Sequence, residues 1–184
     1  MKLLHEDFKT QKIDGEELIH RIIRDNKAVY ATLQKEFGND IFDDKKDLSK
    51  KFLQETVLPR EPIRQKLASI LEVPLIKEVL KEAYHKSKID KGIIAFDAPL
   101  LFDYKFLPWV CFPTITVFNT ENALVVKRVA ERDNIPLAEA SKLVSMPSGL
   151  VGRMLKKADI QINNDGDLNN LKYKLVNELA SFLL

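Results

Sequence analysis

The chain has 184 residues, 45% hydrophobic and 30% charged, with 29 basic against 27 acidic side chains and a formal net charge of +2. That length and balance suit one α/β domain with an embedded smaller lobe, and they exclude the basic field of a nucleic-acid binder and the acidic run of a charged tail. One cysteine, Cys111, cannot form an internal disulfide and fits a reducing compartment as a buried small hydrophobe. No apolar run reaches membrane-spanning length, and the first residues, with Glu6 and Asp7, do not read as a signal peptide. The expectation is a cytoplasmic protein with no nucleic-acid or membrane partner; oligomeric state is left open.

Residues 2–10 carry an amphipathic helical pattern, and residues 11–14 a brief extended segment. From Glu16 a helical stripe runs through Leu18, Ile19, Ile22, Ile23, Ala28, Leu33 and Phe37, and Gly38 ends it. Residues 38–44 have the composition of a loop. Two or three further helices follow, broken near Pro59, Pro62 and Pro74, with Phe52, Leu53, Val57, Leu67, Ile70, Leu71, Leu75, Ile76 and Leu80 as their apolar positions. Together these make a helical lobe over 16–90, inserted between strands and suited to holding an acceptor substrate.

Residues 93–96 are an apolar run with β-branched and aromatic members; Asp97 ends it, and Pro99 stops the ladder. The pattern predicts a buried parallel strand that delivers Asp97 to the carboxyl edge of a sheet, where ligands bind in open α/β folds. A strand-end Asp there orients the magnesium and water of a nucleotide site; a turn or N-cap Asp after an ordinary strand fits the same residues. A second apolar strand spans 113–119. Thr120 is the predicted cap of a helix through Arg132, with Ala123, Leu124, Val126, Val129 and Ala130 on its buried side. After a polar break at 133–136 comes another helix to Val144, then a break at 146–149 and a basic segment with Arg153, Lys156 and Lys157. Residues 159–163 read as a short strand and 164–166 as a turn. Asp167 is the predicted cap of a last helix with Leu168, Leu171, Leu175, Leu179 and Phe182 on one stripe. The six glycines, at 15, 38, 92, 149, 152 and 166, include no Gly-Lys-Ser/Thr, so the phosphate loop G-x-x-x-x-G-K-[ST] is not among these residues.

Several signatures stand in one order: Ile13-Asp14-Gly15-Glu16, Phe37-Gly38, Asp97-Ala98-Pro99-Leu100-Leu101-Phe102, Lys127-Arg128 with Arg132-Asp133, and Ala158-Asp159 followed by Ile162-Asn163-Asn164 and Gly166. Taken together, over essentially the whole chain, they resemble the dephospho-CoA kinase family. The resemblance implies an α/β P-loop-kinase-like fold, a three-layer parallel sheet with an inserted helical acceptor lobe over 16–90. The nucleotide-kinase core then lies over 91–132 and 158–184 of a single domain, with a helical lid over 133–157. It implies ATP-dependent phosphorylation of the ribose 3′-hydroxyl of dephospho-CoA, with Mg2+.

By position, Asp14 and Glu16 match the family's Ile-Asp-Ala-Asp, Glu16 being the base or orienting group for the attacking hydroxyl. Read as residues alone, the two are equally an acidic pair at a helix N-terminus. Asp97 matches the strand-end carboxylate, acting on magnesium indirectly. Leu100, Leu101 and Phe102 match the apolar wall against the acceptor, core packing being the competing reading. Lys50 and His20 stand at acceptor-lobe positions where arginines are usual. Arg128, Arg132 and Arg153 match arginines around ATP, where guanidinium groups fork onto phosphate and stack on adenine. Asn164 matches a turn asparagine lining the adenine pocket; as a residue it is equally an ordinary turn asparagine.

Against the family pattern, Glu16 stands for Asp, Val73 precedes Pro74 where His-Pro is usual, and the family glutamine after the third helix is not evident around Ser145-Met146. The chain begins near the end of the family's phosphate loop, so roughly fifteen to twenty residues, the central first strand and the loop, are expected to lie outside it. Without that strand, the strand ending at Asp97 and the strand at 114–118 are expected either to pair directly or to stand about 9–10 Å apart. The chain as given is expected to be inactive or strongly impaired. The alternatives are a catalytically dead pseudokinase that binds a CoA-like ligand or a protein partner, and another nucleoside or nucleotide kinase of the same superfold.

Overall fold

The structure, a computed structural model, describes residues 10–89, 92–98, 100–144 and 148–183. The amphipathic pattern over 2–9, Pro99 and the Ser145-Met146 pair lie outside the described residues. The chain folds as two compact units, one up to Phe112 and one from Pro113.

In the first unit, strand β1 (Gln11–Asp14) pairs in parallel with β2 (Ile94–Asp97), and the register sets Lys12 beside Ala95 and Asp14 beside Asp97. Helix α1 (Gly15–Asp25) leaves the tip of β1 at once. The long stripe expected from Glu16 to Phe37 is two helices. Asn26 sits in extended backbone and caps α2 (Lys27–Phe37) by accepting from the amides of Ala28 and Val29. An Asn oxygen at that place satisfies amide donors that the first turn of α2 would leave open, so a new helix start is favoured there over a continuous helix. Gly38, at φ 77, ends α2 as expected.

A loop follows in which Phe42 stacks on Tyr30 with centroids 4.2 Å apart. Ser49 then caps a short helix, α3 (Lys50–Phe52), which runs into a π-helical stretch (Leu53–Val57). Helix α4 (Glu61–Ile89) is continuous through Pro74, which corrects the expected break there. An interior proline costs about 3 kcal/mol. Leu67, Leu71, Leu75 and Val79 are buried on both sides of it, each contributing roughly 1.5–3 kcal/mol, so packing outweighs the break. Pro62 lies in the first turn, where proline is favourable. The core of this unit gathers Ile13, Leu18, Ile22, Ile23, Leu33, Ile41, Val57, Leu71, Leu75 and Leu107, and α4 packs on α1, α2 and both strands. After β2 come a 3-10 turn (Leu101–Asp103) and α5 (Leu107–Val110).

In the second unit, β3 (Ile115–Phe118) pairs in parallel with β4 (Ile160–Asn163). Among the described residues the strands thus lie in two two-stranded sheets, β1 with β2 and β3 with β4. The strand expected to be buried is less so: β2 is half-buried throughout; in β3, read as an apolar strand, Val117 is exposed. A strand with one partner leaves an edge open, which accounts for the difference. Helix α6 (Asn122–Asp133) has no fully buried residue, and Ala123, expected on its inner side, is exposed.

Thr120 does not cap α6; it bonds Asp165 instead. Asn134, in the left-handed region at φ 53, closes α6. Helices α7 (Leu137–Val144) and α8 (Ser148–Lys157) follow, so Ser148 and Gly149 belong to a helix rather than to the break. Asp167 caps α9 (Leu168–Leu183) by accepting from the Asn170 amide, as expected. Leu175 and Leu179 are buried on its inner stripe while Leu168 is exposed; the Phe182 side chain lies outside the described residues. Cys111 is half-buried, and burial pushes its thiol up. Among the described residues no helix is long and apolar enough to cross a membrane.

Gly15 is where the chain turns from β1 into α1 against the end of β2. A Cβ there would meet the Asp97 carbonyl oxygen at 2.5 Å and the Phe96 ring at 3.1 Å. Gly15→Ala is expected to destabilise the fold by about 1–3 kcal/mol, read as a lowered midpoint in urea; an unchanged midpoint would contradict this close approach.

Candidate active site

A strand pointing its side chains alternately to two faces puts residues i and i+2 on the same side. Lys12 and Asp14 therefore share a face of β1, and Ala95 and Asp97 the matching face of β2. Two carboxylates as register neighbours repel one another. Lys12 relieves this: its Nζ lies 2.7 Å from Asp14 Oδ2 and 3.6 Å from Asp97 Oδ2. The small side chain of Ala95, opposite Lys12, leaves room for the lysine stem.

Asp14 also caps α1, accepting from the amides of Glu16 at 3.1 Å and Glu17 at 3.3 Å. The hydrogen bond from Lys12 and these amides hold its carboxyl below the usual range, and the same bond raises Lys12. The sequence reading passed over Lys12; the two-residue period of a short strand ending in Asp14 was the signal that could have found it.

The other residues expected around an acceptor lie on the same unit. Glu16 stands exposed in the first turn of α1. His20, one turn on, is half-buried with Nε2 3.9 Å from Glu16 Oε1, and its Nδ1 lies 3.1 Å from Asp47 Oδ1 without hydrogen-bond alignment. Lys50 is exposed at the start of α3. Leu100, Leu101 and Phe102 are half-buried in the segment after β2, and Leu101 packs against the core.

Two buried polar side chains of α4 reach that segment. Arg64 Nε donates to Asp103 Oδ2 at 3.1 Å and Nη1 to the Leu58 carbonyl. Glu72 accepts from the Phe106 amide and from the Leu107 amide at 3.2 Å. Neither residue was singled out from the sequence, where each reads as a solvated helix charge. Tyr104, buried between them, has its phenol pushed up by burial and by the Asp103 and Glu72 charges.

On the second unit, the turn after β4 is held by side chains. Asp165 accepts from the Thr120 amide at 2.9 Å, the Thr120 hydroxyl, Asn163 Nδ2 at 2.7 Å and Asn119 Nδ2 at 3.2 Å, and these bonds hold its carboxyl far below the usual range. Arg128 donates to the carbonyls of Asn164 and Gly166, and Asn119 Nδ2 bonds the Asn164 carbonyl at 2.6 Å. Arg128 and Asn164 are thus brought into one cluster. Arg132, 72% exposed, forks onto its neighbour Asp133 at 2.7 Å. Arg153 is half-buried on α8.

The paired charges at the strand tips set a pH dependence. Asp14 is lowered on folding, so its contribution to stability is present at neutral pH and lost as pH falls through the folded value. Lys12 is raised, so its contribution is full below the ordinary lysine value of 10.5 and lost as pH climbs through the folded one. Lys12→Met is expected to move the Asp14 carboxyl titration upward, toward the ordinary carboxylate range, in a carbon-detected NMR pH series. A titration that stays where it was would show that Lys12 does not govern the pair.

A model of the dephospho-CoA kinase family matches residues 2–170. An uncharacterized protein of Schizosaccharomyces pombe, C14G10.01, is 28% identical over 176 residues, covering 95% of this chain and 73% of its own. The dephospho-CoA kinase of Streptococcus agalactiae serotype III is 25% identical over 167 residues, covering 91% of this chain and 84% of its own. Among solved structures, TT1252 from Thermus thermophilus aligns with a TM-score of 0.66 at 17% identity, covering 100% of this chain and 89% of its own. A dephospho-CoA kinase from Campylobacter jejuni aligns with a TM-score of 0.55 at 18% identity, covering 97% and 88%. The chain shares the fold of these two structures, a P-loop kinase fold, and with a family match that spans all but the ends of its sequence the chain belongs to the dephospho-CoA kinase family.

Proposed function

We propose that these residues serve an enzyme that transfers the γ-phosphoryl group of ATP to the ribose 3′-hydroxyl of dephospho-CoA. The observation that carries the reading is the family match over residues 2–170, and the pairing of Asp14 with Asp97 at one strand edge supports it. In the transfer the 3′-oxygen bonds to the γ-phosphorus, the bond from that phosphorus to the bridging oxygen breaks with ADP leaving, and the hydroxyl proton passes to a carboxylate. Glu16 takes that role: it is exposed in the first turn of α1, and Asp14 fixes its backbone by accepting from its amide. General-base help of this kind is worth about 10²–10⁴ in rate. On this reading Leu100, Leu101 and Phe102 form the wall against the acceptor, with His20 and Lys50 on the lobe that receives it. Arg128, Arg132, Arg153 and Asn164 serve the nucleotide, the helices over 133–157 acting as its lid.

Magnesium in kinase sites takes one or two carboxylates and completes its shell with phosphate oxygens and water. Asp14 and Asp97, two carboxylates at one sheet edge with an ammonium already lying against both, fit that donor pattern, and among the described residues no cluster of three or more ligating side chains offers a complete cage. Asp97 is the residue that would hold the ion, through water. When bound with ATP, magnesium neutralises phosphate charge.

Phosphoryl transfer rests on positioning and electrostatics, and the 184 residues contain no Gly-Lys-Ser/Thr. This chain by itself is therefore expected to turn over at or near background. A second reading, binding of a CoA-like ligand or a protein partner without turnover, is favoured by the substitutions at Glu16, His20, Lys50 and Val73.

The test is dephospho-CoA phosphorylation by the 184-residue chain and by the polypeptide its genomic reading frame encodes. An upstream G-x-x-x-x-G-K-[ST], turnover by the longer chain, and a fall of about 10²–10³ in kcat with Glu16→Gln support the enzyme. Tight binding with no turnover in either chain supports the second reading. Full turnover by the 184 residues alone would overturn the expected impairment.

A further inference from the structure

The stripe of α4 that faces the core runs Arg64, Leu67, Ala68, Leu71, Glu72, Leu75 and Val79, so two charged residues occupy positions where apolar ones would pack. A buried ion pair is weak grounds for stability, because well-packed apolar residues of similar volume often do as well or better. Here both charges are spent on one neighbouring segment. The side chains of Arg64 and Asp103 are 3% and 4% exposed, and their bond ties α4 to the 3-10 turn that contains Leu101 and Phe102. Arg64 also reaches back to the Leu58 carbonyl, which anchors the guanidinium from the other side. Two turns along the helix, Glu72 accepts from two successive amides, Phe106 and Leu107, where the chain enters α5. The segment 101–107 is thereby tied to one helix at Asp103 and again at Phe106 and Leu107, while Leu101 and Leu107 pack into the core.

We propose that Arg64 and Glu72 are positioning residues for the acceptor: by fastening the chain to α4 at Asp103, next to Phe102, and again at Phe106 and Leu107, they set the placement of Leu100, Leu101 and Phe102. The inference rests on the reading that these three residues form the acceptor wall. A bond network of this kind gives fixed geometry rather than extra stability. Packing alone would allow the turn to shift while its apolar side chains stayed covered.

The paired apolar replacement Arg64→Met with Asp103→Leu separates placement from stability, because removing both charges together leaves none buried alone. The double variant is expected to keep its unfolding midpoint close to that of the parent chain. Its amides over 101–107 are expected to exchange faster with solvent, and its affinity for dephospho-CoA, measured by calorimetry, to fall about tenfold while affinity for ATP stays the same. Glu72→Gln, which keeps one acceptor oxygen for the two amides, is expected to show a smaller loss in the same direction.

Unchanged exchange and unchanged dephospho-CoA affinity in the folded double variant would overturn the inference and leave the proposed function standing. Faster exchange with unchanged affinity would also overturn it, reducing the network to local structure. If the parent chain itself does not bind dephospho-CoA, the acceptor reading fails first and this inference falls with it.

Discussion

The parallel register of β1 against β2 is the constraint on which the first unit of this protein depends. It makes Asp14 and Asp97 neighbours at one end of a ladder, sets Lys12 on the face from which it reaches both, and places Gly15 where only a residue without Cβ fits against the Asp97 carbonyl. A slip by one residue would turn every one of these side chains to the other face. The pattern is held from below as well: Ile13, between Lys12 and Asp14, is buried in the core, so the strand cannot rotate without exposing it.

The two units answer a similar demand in different ways. In the first, the segment after β2 is fixed by charges sent up from a long helix, with Arg64 and Glu72 embedded in an otherwise apolar stripe. In the second, the turn after β4 is fixed by short polar side chains, Asp165 accepting from Thr120, Asn119 and Asn163 while Arg128 covers the carbonyls. At the other end of that ladder, Asp159 accepts from both the amide and hydroxyl of Thr114, which lowers its carboxyl and ties the starts of β3 and β4 together. In both units, loops at strand ends are shaped by hydrogen bonds to carboxylates, the strongest class of such bonds available to a side chain.

Much of this was legible in the residues. The strand ending at Asp97, the strand over 160–163, the Gly38 stop and the Asp167 cap follow from periodicity and cap chemistry. The errors have common causes. Asn26 and Pro74 depart from the expected pattern in opposite directions: a capping oxygen splits one helix, while buried leucines on both flanks carry another through a proline. Thr120 looked like a cap because it precedes a helix, but a carboxylate distant in sequence offered it a better partner. Lys12, Arg64 and Glu72 were missed because a charged residue in a single sequence reads as solvated. Only the register of a pair, or the inward face of a helix, shows which charge is held.

The most direct measurement is an NMR titration of the labelled chain with dephospho-CoA, following backbone amides. If the strand-tip carboxylates and the segment after β2 form the acceptor site, the shifts concentrate at residues 14–20 and 97–107. Shifts absent at those residues, with the ligand bound elsewhere on the chain, would contradict the account.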